Sequence, residues 1–185
     1  MATHIKRPFT DNYLSEYSRV HLNYEVEMFF ATAVLYSAQP DAAKGTPAAV
    51  WRRLARNALL ESFAVHTRNL VAFLYEGSPK DVDVVAADFC LPGGWKAIRP
   101  RKSQSVRVAD DRASKEIAHL TTARMAGNPP EKDWHFDRLT REILRLLKIF
   151  ADNALTTRLS PKVKATILAL SVKGGPRNSG MAGPP

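Results

Sequence analysis

The sequence predicts an all-α protein, a bundle of four to five helices. Three observations predict it. Long segments carry apolar residues at helical spacing, helix-start and helix-stop residues stand at their ends, and no run alternates convincingly as a strand with a partner to pair with. Helices joined by short to moderate connections pack as a bundle.

The first helix is expected from about Asp11 to Ala38, with Asp11 as its N-cap. Val26, Met28, Phe29, Phe30, Ala33, Val34 and Leu35 make it apolar almost all round, the texture of a buried helix. QPDAAKGTP then interrupts it. The second helix is expected from Pro47 to Glu76. Thr46 is suited to the N-cap and Pro47 to the first helical position. Gly77 and Pro79 close it. Between Asp81 and Pro100, DVDVVAADF reads as a short helix or turn, and LPGGW as loop. A third helix is expected from Ser105 to Met125. The fourth, Asp133 to Ala154, is strongly amphipathic: Phe136, Leu139, Ile143, Leu146, Leu147 and Phe150 share one face, with arginines mainly on another. A short fifth helix is expected over Pro161–Leu170. The expected organisation is a helical domain over residues 1–155, a basic helix or extension over 156–172, and a disordered tail over 173–185.

Composition bounds the function. With 185 residues, 45% of them apolar and 24% charged, the chain can build one core without disulfide staples. The single cysteine, Cys90, excludes an internal disulfide and a cysteine-rich zinc site, and reads as a buried thiol. No apolar run reaches membrane-spanning length and the N-terminus lacks a secretory apolar region, so a reducing cytoplasm is expected and no membrane partner. No phosphate-binding glycine loop or HExxH pair occurs, the spacing of Asp81, Asp83 and Asp88 fits no calcium loop, and no cofactor or metal is expected. Trp51, Trp95 and Trp134 are expected as core or boundary anchors.

The net charge of +9 suggests an anionic partner. It is uneven: +2 over residues 1–60, −1 over 61–100 and +8 over 101–185. The last acidic residue is Asp152, after which Arg158, Lys162, Lys164, Lys173 and Arg177 give a basic stretch expected to be largely a loose tail. Arg138, Arg141 and Arg145 on the fourth helix, with Arg52 and Arg53 opening the second, are the candidate nucleic-acid contacts. Those on the second helix, together with Arg56, oppose the helix dipole, a mild cost that a bound anion or a salt bridge would offset.

Polar residues on mostly apolar helices mark a second candidate. Asn57, Glu61 and Arg68 fall on one stripe of the second helix, with His66 beside it, lining a pocket or forming a satisfied polar seam. On the third helix Arg112, Glu116 and His119 share a face. A histidine to move a proton, an arginine to hold a phosphate and a carboxylate to orient the imidazole would suit attack of a ribose 2′-hydroxyl on its neighbouring phosphodiester without metal. An intrahelical Arg112–Glu116 ion pair beside a packed histidine is the plainer alternative.

ESFAVHTRNLVAFLY, DVVAADF and EIAHLTTARM, in that order, resemble segments of uncharacterised bacterial proteins over most of Tyr24–Phe150. The helical layout, with six residues between Arg112 and the pair-forming His119, is also similar to the HEPN (higher eukaryote and prokaryote nucleotide-binding) superfamily. That resemblance implies a dimeric helical bundle, a metal-independent endoribonuclease of a defence or toxin–antitoxin system, Arg112 and His119 as the catalytic pair in a composite cleft, RNA as substrate, and a cognate partner or antitoxin protein. Ala113 departs from the superfamily, which often carries a polar residue after the arginine. The alternative is a non-catalytic helical module that dimerises or binds a partner protein.

Overall fold

The computed structural model describes residues 7–40, 43–117 and 134–173. Among them every regular element is helical. The catalytic candidate His119 lies outside the described residues, as do the side chain of Glu116 and residues 174–185.

The first expected helix is two. α1 (Asp11–Tyr17) passes through one wider π turn, Ser18–Leu22, into α2 (Asn23–Ser37). The N-cap is Thr10 rather than Asp11: the Thr10 hydroxyl accepts from the Tyr13 amide at 3.2 Å. That frees Asp11 for a contact across the chain. α3 (Pro47–Tyr75) starts where its signals place it, with Thr46 accepting from the Ala49 amide at 3.2 Å and Pro47 in the first turn.

The connection after α3 holds more structure than its sequence suggests. Ala86–Phe89 forms a 3₁₀ turn, and the LPGGW stretch, expected as loop, opens a short helix α4 (Gly94–Ile98). Gly93 makes that start possible, since its φ of +74° is a left-handed conformation that other residues resist. Trp95 is then buried, and its indole N–H donates to the Leu74 carbonyl at 2.8 Å. Tertiary burial of one large ring overrides the local loop signal.

α5 (Gln104–Arg112) is capped by Ser103, which accepts from the Val106 amide at 3.2 Å, and runs into a π segment, Ala113–Ile117. α6 (Phe136–Asn153) and α7 (Pro161–Lys173) complete the described chain.

The core joins these elements in one cluster. Phe29 and Phe63 stack at 5.0 Å, linking α2 to α3. At the far end Phe150 meets the rings of Phe73, Phe89 and Trp95 edge-on, at 5.1, 5.6 and 5.8 Å. Edge-to-face pairing of this kind adds to the burial itself.

The stretch after Asp152 is a correction to the sequence reading. It is not a loose tail as far as Lys173. Val163 and Ile167 of α7 are fully buried in the shared core. The Ser160 amide donates to Ser18 Oγ at 2.9 Å, and Thr166 Oγ1 donates to Asn23 Oδ1 at 2.9 Å. Arg158 donates to Asp11 at 2.7 Å and to the Asp88 carbonyl at 2.8 Å. Part of the basic excess therefore serves packing, and α7 belongs to the bundle. Trp51 is a second correction: it is 71% exposed rather than a core or boundary anchor.

Candidate nucleic-acid interface

α6 begins at the open end of the bundle. Its apolar face is committed to the core by Phe136, Leu139 and Ile143, which turns Arg138 and Arg141 outward. The C-terminal end of α2 and the N-terminal half of α3 lie alongside. Between them is a cleft of about 650 Å³, lined by Arg138 and Arg141 of α6, Arg56 of α3, Tyr36 of α2, and Trp134, His135 and Asp137.

Two further clefts share its walls. One, of about 270 Å³, adds Lys44, Arg52, Arg53 and Asn57 and shares Tyr36 and Arg56. The other, of about 200 Å³, adds Arg112 and Ser105 and shares Trp134, His135 and Arg138. Together they form a trough from Lys44 to Arg112 that carries on its walls, among the described residues, seven cations and one carboxylate, Asp137.

The cations are interleaved with aromatic rings. The Arg56 guanidinium lies 4.1 Å from the Tyr36 ring centroid, and that of Arg112 lies 4.7 Å from that of Trp134. Tyr36 is itself stacked on Phe136 at 4.0 Å, so its position is fixed from below by the core. Stacking holds each guanidinium flat against its ring. Asp137 adds a specific feature: its Oδ1 is buried and has no hydrogen-bond partner among the described residues. A buried orphan acceptor is costly unless a donor reaches it.

The sequence-predicted nucleic-acid residues divide. Arg52, Arg53, Arg138 and Arg141 all line the trough. Arg145 lies apart, near Tyr75, whose hydroxyl pKa burial pushes up against the opposing pull of Arg99 and Arg145. Arg112, expected as a catalytic residue on a helix face with Glu116 and His119, closes one end of the same trough. Arg56, Tyr36, Trp134 and Asp137 complete the site. The WHFDR run at residues 134–138 was the visible signal for Trp134 and Asp137, an aromatic and charged cluster opening an amphipathic helix.

The predicted pocket stripe of α3 is dispersed. Asn57 joins the trough. Glu61 and Arg68 are exposed and line none of these clefts. His66 is buried, and its Nδ1 meets Glu25 of α2 at 2.7 Å. Asn69 donates to both oxygens of that carboxylate at 3.2 Å. A carboxylate can only accept, so Nδ1–H is the donor in this contact. Glu25 was missed because its partner lies on another helix; two glutamates, Glu25 and Glu27, on an otherwise nearly apolar helix were the hint. Glu25 and Asn69 border a cleft of about 410 Å³ on the side away from Arg56, lined also by Tyr17, His21, Glu76 and Asp83.

Cys90 is buried, and burial pushes its thiol pKa up, with Arg158 pulling against it. It is a packing residue rather than a nucleophile. Among the described residues no group of three or more histidine, cysteine or acidic side chains is arranged to hold a metal ion, and no helix is long and apolar enough to cross a membrane.

No protein-family model, curated protein or solved structure matches this chain.

Proposed function

We propose that this helical protein binds RNA as a flexible single strand along the trough between α2, α3 and α6. One observation carries the reading: arginines and two arginine–aromatic stacks, Arg112 on Trp134 and Arg56 on Tyr36, line adjoining clefts together with Arg138 and Arg141. Phosphates suit the arginines, and bases suit the planar arginine–aromatic stacks, the combination that single-stranded nucleic acid uses. The orphan oxygen of Asp137 suits an exocyclic amino group of a base, a donor that a plain phosphate polymer lacks.

Cleavage is the catalytic extension of this reading, as a HEPN-like, metal-independent ribonuclease in a defence or toxin–antitoxin setting. His119 would take the proton of a ribose 2′-hydroxyl as its oxygen attacks the adjacent phosphorus. Arg112 would brace the phosphate, Glu116 would orient the imidazole, and the 5′-oxygen would leave with a proton, yielding a 2′,3′-cyclic phosphate.

Two measurements separate the parts. Affinity for a short single-stranded RNA, titrated against salt, should fall steeply. Exchanging both Arg138 and Arg141 for alanine should flatten the log–log slope by about 1.4, the value for two lost phosphate contacts on a single strand. An unchanged slope removes the trough as the binding site. Cleavage is assayed in EDTA, where wild type should cut RNA and His119→Ala should not; equal cutting by both sinks the catalytic extension and leaves binding standing.

A second reading, the non-catalytic module that dimerises or binds a partner protein, draws support from a different surface. Val50, Trp51 and Leu54 of α3 are 48%, 71% and 48% exposed.

A further inference from the structure

The apolar exposure of α3 continues beyond that one end. Trp51, Ala58, Val65 and Ala72 follow one another at a spacing of seven and are all exposed. Leu54 lies between the first two on the same face. At 3.6 residues per turn these side chains form one stripe along the helix, and it points away from the core-facing Phe63, Thr67, Leu70 and Leu74. A seven-residue apolar period is the spacing of a helix seam that packs against another helix at a shallow angle. The two alanines leave room for a close approach of the helix axes.

The charges beside the stripe decide what that other helix is. Glu61 and Arg68 fill successive positions three residues after Ala58 and Val65. Both are exposed, and among the described residues neither is ion-paired within its own chain. They stand two turns apart, about 10 Å along the axis, too far to pair with each other. They are also equidistant from the point between Ala64 and Val65, each about 5 Å away along the axis. An antiparallel copy of α3, related by a two-fold axis through that point, therefore brings Glu61 level with Arg68 of the partner subunit. The same rotation brings Arg68 level with Glu61 of the partner subunit. Such reciprocal matching is what a two-fold interface requires. A parallel copy would put like charges level, Glu61 against glutamate and Arg68 against arginine, which is disfavoured.

We infer that the outer stripe of α3 is a homodimer interface, in which two copies pack antiparallel about Val65 and exchange Glu61–Arg68 ion pairs. The inference deepens the second reading by naming its surface and its partner. It does not rest on RNA binding, because the arginines of the trough face other directions from α3.

Sedimentation equilibrium of the full chain tests it. Wild type should be a dimer in the micromolar range. The single reversals Glu61→Arg and Arg68→Glu each place like charges opposite one another and should weaken the dimer by about tenfold or more. Combining both reversals restores opposite charges and should bring affinity back to within about threefold of wild type. Val65→Asp, at the axis itself, should leave a monomer. All of these positions are exposed, and an unchanged helical circular dichroism spectrum for each variant shows that folding is intact. A monomeric wild type at the highest workable concentration overturns the inference together with self-association. A dimer indifferent to all four variants keeps self-association and overturns this surface. Single reversals that weaken the dimer without rescue by the double overturn the antiparallel pairing.

Discussion

The two ends of the bundle are built from the same helices but to different ends. At one, Phe150 is surrounded by three aromatic rings, α7 closes over the core, and Arg158 ties Asp11 to the connection before α4. At the other, α3 runs on past its neighbours. Arginines stand on aromatic rings, and Trp51 meets solvent. The closed end spends its aromatic residues on packing with one another, whereas at the open end Tyr36 and Trp134 carry arginines and Trp51 is left as exposed surface. A basic residue likewise has no fixed meaning here: Arg158 braces the fold, whereas Arg138 and Arg141 face a trough.

If this contrast is right, substitutions should divide by end. The largest effect is expected at the closed end. Phe150→Ala removes three ring contacts from a fully buried site and should cost about 3–5 kcal/mol of unfolding free energy, read by urea denaturation. A loss comparable to that of an exposed residue would contradict the packing described for this end.

The Glu25–His66 pair lies between the two ends and should give an intermediate loss. Glu25→Ala leaves the buried imidazole without its acceptor and should cost about 1–3 kcal/mol by the same measurement. If stability is unchanged, the pair is not held in the folded protein.

A smaller effect is expected at Asp11. The Thr157 hydroxyl, and after it Arg158, hold its carboxyl below the usual carboxylate range. A carboxylate with a lowered pKa contributes stability above its ordinary range and loses that contribution as pH falls through its lowered value. Amide exchange over residues 155–160 should therefore quicken on acidification in wild type. In Asp11→Asn it should be faster already at neutral pH and depend less on pH. Identical pH profiles for the two proteins would remove the tie between α1 and the start of α7.

The smallest effect belongs to the open end. Trp51→Ala, measured in the Val65→Asp background so that association does not contribute, should change stability by no more than about 0.5 kcal/mol. A loss of several kcal/mol from so large a ring would mean that its own chain packs against it, and the open end would be open no longer.

Much of the fold was legible because its signals are local. Thr46 and Pro47 start α3, the period of Phe136 through Phe150 sets the face of α6, and Pro161 starts α7. Local patterns were misleading where distant packing outweighed them. LPGGW gives way to a helix because Trp95 finds a buried slot and a carbonyl acceptor on α3. The charges after Asp152 suggested a tail, yet Val163 and Ile167 are enough to hold α7 in the core.

The candidate site divides in the same way. The sequence by itself determined that the protein is helical, that arginines gather at the start of α3 and on α6, and that α3 carries unusual polar residues. It could not determine which of these residues meet. Arg56 joins Arg138, and His66 joins Glu25, only when separate helices are brought side by side. Glu61 and Arg68 share a face by helical period alone, but whether that face is buried or open depends on how far the neighbouring helices reach. Periodicity fixes direction around a helix axis, whereas burial and partnership depend on every other element packed against it, and only the tertiary structure decides those.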